Sequence, residues 1–417
     1  MTVVVFENCA VFDGIADELR PGMSVVVEND QIKEVSGKPV KVPGASVLNI
    51  KGRTLMPGLI DAHVHVYSAF LNYALTADMP HTLMTVHAVQ RLKEILNRGF
   101  TTVRDVAGGD FGIKQAVEQG LTPGPRLFIG GKAISMTGGH GDHRRLTDPA
   151  IPCACSGGNN ALDMLTRIAD GVAEVRRAAR DELRKGADHI KIMVSGGVGS
   201  PYDPLEGRQF SEEEVRAAVD EAGAWDKYVC AHSYTSRSTQ LAVKCGVRTI
   251  EHGNLIDEAT AQLMAKNRTF MVPTLVCYGE SERRGPELGL SSTVLEKLKL
   301  VNEAGIRMLE ICRNAGVEMG FGTDLMGELN DAQSREFLIR REVLPAVEIL
   351  KSATSVNAKI LQQEGKLGVI ADGAHADILV VDGNPLQDLQ LLQDQGAHLS
   401  VIMKNGTFHK NNISFEH

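Results

Sequence analysis

Eight short apolar segments recur between residues 57 and 324, and several of them end in a side chain that can bind a metal ion. These strand-like segments end near positions 65, 105, 139, 191, 232, 252, 274 and 324, and segments with helical periodicity lie between them. Strands that alternate with helices form a parallel sheet, and eight of them predict a (β/α)8 barrel. The active site of this barrel lies at the carboxyl ends of its strands, so polar residues there are candidates for function.

The two ends of the chain show a different pattern. Short β-rich runs separated by Gly, Pro and Asp turns fill the N-terminal segment, and similar runs return after residue 375. We predict that the two ends pair into one small β-sandwich beside the barrel. The expected boundaries are 1–56 for its N-terminal part, 57–362 for the barrel and 363–417 for its C-terminal part.

His63 and His65 give the clearest chemical signal. They follow an apolar run at a spacing of two residues, so on a strand both imidazoles point to the same side. Two ordinary hydrogen-bonded histidines could also occupy such positions. However, four more side chains of ligand type end later apolar runs: Lys191, His232, His252 and Asp324. Six such residues at strand ends predict a metal site rather than core packing.

Lys191 is the unusual member of this set. An ammonium group has no lone pair and would repel a metal ion, so Lys191 fits the site only if its charge is removed. Addition of carbon dioxide would turn it into a carbamate with two ligand oxygens. A surface or salt-bridged lysine is the alternative, but the position of Lys191 inside an apolar run argues against it.

With these residues in place, the chain resembles the amidohydrolase superfamily over essentially its whole length. Members have His-x-His after strand one, Lys after strand four, His after strands five and six, and Asp after strand eight, and this sequence contains all of them. The resemblance implies two divalent metal ions, expected to be Zn²⁺. It assigns their ligands: His63 and His65 to one metal, His232 and His252 to the second, carbamylated Lys191 as the bridge, and Asp324 as a ligand and proton shuttle.

Three segments narrow the resemblance to one branch: Thr137–Asp142, Ile190–Gly197 and Ala231–Tyr234. They are similar to the imidazolonepropionase-related branch, which contains Xaa-Pro dipeptidases, carboxypeptidase-like enzymes and ochratoxin-degrading amidohydrolases. The similarity implies that His140 and Tyr234 bind the substrate and polarise its scissile carbonyl, and that Arg237 holds its carboxylate through a bidentate pair. An ordinary histidine of a glycine loop and a solvated helix arginine are the alternatives for His140 and Arg237. His143, close to the same loop, is left undecided.

The expected reaction is hydrolysis of a small-molecule amide next to a terminal carboxylate by metal-activated hydroxide, as in Xaa-Pro dipeptides, N-acyl amino acids or ochratoxin A. A lactonase or a cyclic amidase of the imidazolonepropionase type is the alternative, because the same activated water attacks esters and cyclic amides. A mononuclear deaminase would have no use for a bridging Lys191. A barrel without catalysis usually lacks several of the ligands that are complete here.

Composition bears on partners and location. The net charge of −8 argues against a nucleic-acid partner, which normally requires a basic face. No apolar stretch reaches the roughly 18 residues of a membrane helix, so we expect no membrane partner. The N-terminus lacks the pattern of a secretory signal, which predicts a cytoplasmic protein unless a signal peptide was removed.

We also expect a homo-oligomer and reduced thiols. Cys153 and Cys155 could form a metal or redox pair but lack partners at zinc-site spacing.

Overall fold

The computed structural model describes residues 3–144, 146–147, 161–200 and 202–415. Cys153 and Cys155 lie outside these residues, and the five described cysteines are free and buried, as expected for reduced thiols. Within the described ranges, no helix has the length and the apolar character needed to cross a membrane.

Strands from both ends of the chain share one hydrogen-bonded sheet, which confirms the small β-domain. The strands are β1 Val3–Val11, β2 Arg20–Glu28, β3 Gln31–Ser36, β4 Ser46–Asn49, β5 Thr54–Pro57, β15 Ile378–Val381, β16 Leu399–Lys404 and β17 Thr407–Asn411. Their order is β17-β16-β15-β5-β1-β2-β3, with β4 also paired to β1. The antiparallel pairing of β15 with β5 joins the two ends of the chain. The domain boundaries themselves stay a prediction.

The central part of the chain forms the barrel. Its strands are β6 Leu59–Val64, β7 Phe100–Asp105, β8 Arg126–Ile129, β9 Ala133–Ser135, β11 Ile190–Met193, β12 Val229–Thr235, β13 Thr249–Leu255 and β14 Phe270–Val272; the short β10, Thr166–Ile168, pairs with β9 outside it. All these neighbouring pairs are parallel. β8 and β9 are two parts of one barrel position, because β8 pairs with β7 and β9 pairs with β11.

The eighth barrel position is the irregular segment 318–324. Its backbone contacts β14 on one side, where Gly320 N–H donates to Met271 O over 2.8 Å. On the other side it contacts β6, where Ala62 N–H donates to Phe321 O and Asp324 N–H donates to His63 O, both over 2.8 Å. These bonds close the barrel and bring Asp324 beside His63.

Helices surround this barrel. Their bounds are α1 Tyr73–Ala77, α2 His81–Asn97, α3 Phe111–Glu118, α4 Gly171–Arg184, α5 Glu212–Gly223, α6 Ser236–Lys244, α7 Glu258–Asn267, α8 Leu275–Arg284, α9 Ser292–Ala315, α10 Arg335–Arg340, α11 Ala346–Lys351 and α12 Asn357–Ile360, with a π-helical turn at Ser352–Val356. Short 3₁₀ segments are Ala161–Met164, Gly327–Ala332, Leu389–Leu392 and Asp394–Gly396. The apolar faces of the helices pack on the outward side chains of the strands, as Val175 and Leu183 of α4 do in the same core as Ile190 and Ile192 of β11.

Candidate metal centre and active site

The six predicted metal ligands line one cavity at the carboxyl ends of the barrel strands: His63, His65, Lys191, His232, His252 and Asp324. Nε2 of His65 lies 3.1 Å from Oδ1 of Asp324, and Nε2 of His63 lies 3.4 Å from the same oxygen. The rings of His232 and His252 also lie close together, with 4.7 Å between their centroids. The structure therefore brings together residues that lie up to 261 positions apart in the sequence.

The hydrogen bonds of the four histidines indicate which ring nitrogen is available to a metal. One nitrogen of each ring is bonded to a protein oxygen: His63 Nδ1 to Glu251 Oε2 (2.7 Å), His65 Nδ1 to Ala107 O (3.1 Å), His232 Nε2 to Gly196 O (3.2 Å) and His252 Nδ1 to Thr274 Oγ1 (2.9 Å). A ring nitrogen that donates to such an oxygen leaves the other one with a free lone pair. Carboxylate and carbonyl oxygens only accept, so the available ligand atoms in three of the rings are Nε2 of His63, Nε2 of His65 and Nδ1 of His232. Nδ1 of His252 also contacts the hydroxyl of Tyr278 over 2.9 Å, and each of its two hydroxyl partners can donate or accept. Nitrogen lone pairs and a carboxylate are a donor set that suits zinc and similar divalent ions.

Glu251 is a buried carboxylate that the sequence analysis missed. Its two oxygens accept from one terminal nitrogen of Arg104, both over 2.8 Å, while Oε2 also contacts His63. Burial alone would raise the pKa of this carboxyl, but the Arg104 charge and the hydrogen bond to His63 outweigh it and hold the pKa low. The only signal for Glu251 in the sequence is an acidic residue inside an apolar strand, next to His252.

Lys191 and Asp324 have opposite electrostatic environments. Lys191 is 1% exposed, and this burial lowers the pKa of its ammonium group. Burial would raise the pKa of Asp324, but the imidazoles of His63 and His65 hold it well below its ordinary value. For Lys191, the lowered pKa favours the neutral amine, which is the form of lysine that can react with carbon dioxide. The low pKa keeps Asp324 anionic, which is the form that binds a metal ion.

Two of these residues have a left-handed backbone. The φ angle is +75° at His252 and +51° at Asp324, although neither residue is glycine. Such a conformation costs on the order of 1–3 kcal/mol and persists only where the surroundings fix it. At Asp324 the fixing contact is the bond of its backbone N–H to His63 O. The backbone is thus strained at two residues whose side chains line the cavity.

His140 and Tyr234 line the same cavity, as predicted from the resemblance. The His140 ring stacks on His232 at a centroid distance of 4.4 Å, and its Nδ1 lies 3.0 Å from Oδ2 of the buried Asp203. The Tyr234 hydroxyl donates to the hydroxyl of Tyr278 over 3.1 Å. Burial raises the pKa of Tyr234 well above its ordinary value, so its phenol stays a hydrogen-bond donor. Asp203 and Tyr278 carry no recognisable motif and were missed.

Arg237 is the predicted site residue that the structure does not bring to the cavity. β12 ends at Thr235, whose side chain accepts from Ser238 N–H and starts α6. Arg237 then lies exposed in the first turn of that helix, as in the solvated alternative. In contrast, His143, which the sequence left undecided, lines the cavity and contacts Tyr73 at a ring distance of 5.0 Å.

Apart from the candidate metal ligands, the cavity has a mostly apolar wall. It includes Leu71, Val198, Leu290, Val294, Leu298 and Met326. Asp324 is the only carboxylate among the described residues that line the cavity. This wall suits an apolar substrate group, and the histidine and tyrosine donors suit oxygen atoms next to the bond that reacts.

Comparison with known proteins agrees with this geometry. Residues 54–407 match the amidohydrolase family. The crystal structure of an amidohydrolase is 49% identical and covers 98% of this chain and 99% of its own, with a TM-score of 0.95. A prolidase complexed with N-methylphosphonate-L-proline is 47% identical, covers 98% of this chain and 100% of its own, and also has a TM-score of 0.95. The ochratoxinase of Aspergillus niger is 30% identical over 95% of this chain and 84% of its own length.

Proposed function

The chain belongs to the amidohydrolase family of metal-dependent hydrolases, and we propose that it cleaves an amide bond next to a terminal carboxylate with the help of two divalent metal ions. The observation that carries the proposal is the convergence of four histidines, Lys191 and Asp324 on one cavity. Six such groups exceed the four ligands that one tetrahedral ion uses. The buried amine of Lys191 is the natural bridge once it is carbamylated.

The residues of this chain divide the work of hydrolysis. Bound divalent ions supply a polarised scissile carbonyl and a water of lowered pKa. Asp324 takes a proton from the attacking water and delivers it to the leaving nitrogen, so that the amide yields an acid and an amine. Tyr234 donates its O–H to a substrate oxygen in place of Tyr278 and stabilises charge that develops there. His140, whose Nδ1 is held by Asp203, contacts the substrate through its other ring nitrogen. The apolar wall excludes water from the side of the acyl group.

The choice of substrate rests on the relatives and the cavity together. The ligand of the 47% identical prolidase is a proline derivative, and the 30% identical relative is an ochratoxinase. Xaa-Pro dipeptides and ochratoxin A share an amide whose amine side carries a carboxylate. We therefore propose apolar Xaa-Pro dipeptides, N-acyl amino acids and ochratoxin A as the first substrates to test.

The experiment combines metal analysis with a substrate panel. The zinc-loaded protein is assayed on the three substrate types, on a lactone and on a cyclic amide, while bound metal is measured by elemental analysis. We expect two metals per chain and turnover of at least one carboxylate-bearing amide. Turnover of the lactone or the cyclic amide alone would replace the proposal with the alternative reaction, and one tightly bound metal in an active preparation would contradict the paired site.

A further inference from the structure

Lys297 binds three backbone carbonyls of one loop, and no acidic side chain of the described residues forms an ion pair with it. It lies half-buried in α9, and its Nζ donates to Gly197 O over 3.1 Å, to Ser200 O over 2.8 Å and to Asp203 O over 2.5 Å. An ammonium group has three N–H bonds, so these carbonyls use all of them. The loop that follows β11, residues 196–200 and 202–207, is thus anchored to the helix.

The same loop holds His140 in place. Asp203 is 2% exposed, and its Oδ2 accepts from Gly197 N–H over 2.7 Å and contacts His140 Nδ1 at 3.0 Å. Gly197 is in close contact with the His140 ring, because a Cβ at this position would lie 2.2 Å from Cε1. The loop therefore touches the imidazole both at its edge and on its face.

We propose that Lys297 is a positioning residue, which acts through the loop and Asp203 to fix the ring of His140 in the cavity. This inference rests on the proposed function, in which His140 touches the substrate. Without the ammonium group, three carbonyl oxygens lose their common donor and the loop is free to move away from α9. Asp203 would move with it, and His140 would lose the contact that orients Nδ1. A misplacement of about 1 Å can cost on the order of 10²-fold in rate.

The first test measures the mobility of the loop and the position of the His140 ring, and it needs no substrate. Lys297→Met keeps the length of the side chain and removes its charge. Lys299→Met is the matched control on the same helix. The side chain of Lys299 is 66% exposed, and its ion pair with Glu303 is a long one, with 4.0 Å between Nζ and Oε1. We expect faster hydrogen–deuterium exchange in peptides of the loop, and a crystal structure with the His140 ring displaced from Asp203, in Lys297→Met alone. Equal exchange in both variants and an unmoved ring would overturn the proposal, whatever the protein hydrolyses.

The second test is a double-mutant cycle on the best amide substrate. Lys297→Met should lower kcat/KM by about 10- to 100-fold in the wild-type background, and by less than about two-fold in the His140→Asn background, because the residue that it positions is already gone. Independent, additive losses would show that Lys297 acts elsewhere and would overturn the proposal. If Lys297→Met does not fold, Lys297→Gln takes its place, since the two N–H bonds of its amide cannot serve all three carbonyls, and the same non-additivity with His140→Asn is expected.

Discussion

Oε2 of Glu251 lies 2.7 Å from Nδ1 of His63, and both side chains are buried. Arg104 binds the same carboxylate, so a fully buried arginine, an acid and a histidine form one chain of contacts at the candidate metal centre. Because a carboxylate can only accept, His63 must carry a proton on Nδ1, and Nε2, on the cavity side of the ring, is the nitrogen left to bind a metal. This contact fixes the tautomer that a metal ligand needs.

Glu251→Gln should weaken metal binding by about 10- to 100-fold, because an amide no longer specifies that tautomer. It should also lower the free energy of unfolding by about 3–5 kcal/mol, since Arg104 stays buried without its anion. Calorimetric metal titration and denaturant unfolding measure the two effects. The control is Glu336→Gln, in the buried pair with Arg340, which should leave the metal affinity of the folded protein unchanged. Equal affinities of wild type and Glu251→Gln would refute the role in ligand orientation.

The same pair predicts a pH dependence of stability. The pKa of Glu251 is held below its ordinary value of 4.5 in the folded protein, so its stabilising contribution is complete above that pH and lost as the pH falls below it. In metal-free protein, the difference in unfolding free energy between wild type and Glu251→Gln should be constant from pH 7 to pH 5 and shrink in more acidic solution. A difference that grows with acid would contradict the low pKa.

Lys191→Ala should lose the metal pair and most activity, because no bridging group remains between the histidine pairs. Short carboxylic acids such as formate or acetate should restore part of the turnover by taking the place of the carbamate. Metal content and rate are measured with and without the acid, and exposed Lys299→Ala serves as the control. Full activity of Lys191→Ala without added acid would rule out the bridging role.

Asp324→Asn should lower kcat by about 10²- to 10⁴-fold, the usual contribution of a general acid or base. Asparagine has nearly the same shape but cannot take a proton from the attacking water. Elemental analysis must accompany the kinetics, so that loss of metal is distinguished from loss of the proton shuttle. A variant that keeps its metals and stays within a few-fold of wild type would require another base.

The sequence predicts the barrel and the six ligand positions because both depend on local order. A strand places residues i and i+2 on one side, and parallel strands bring their carboxyl ends to one face. For this reason all six could be named before any contact was known: His63, His65, Lys191, His232, His252 and Asp324. The confirmed barrel needed no information about distant pairs.

The contacts around these residues could not be predicted, because they join positions far apart in the chain. Glu251 is 188 residues from His63, and Asp203 is 63 residues from His140. Arg237 depends on where β12 ends: the chain turns into α6 after Thr235, and this points the arginine to solvent. A spacing of a few residues after a strand does not fix such a turn.

The last prediction concerns recognition of the carboxylate without Arg237. If the substrate carboxylate is bound in the cavity, amidation or esterification of that group should remove most of the turnover, because charged hydrogen bonds are about twice as strong as neutral ones. Arg237→Ala should nevertheless keep kcat/KM within about two-fold of wild type, since an exposed residue outside the cavity contributes little. Tyr234→Phe should lose activity on the free acid, because Tyr234 lines the cavity and its hydroxyl, bonded to that of Tyr278, is lost in this variant. Initial rates of the three proteins on matched free-acid and amidated Xaa-Pro substrates decide the matter. If Arg237→Ala loses much of its rate on the free acid but not on the amidated substrate, Arg237 does bind the carboxylate. If the wild type hydrolyses both substrates at equal rates, the enzyme does not recognise the carboxylate.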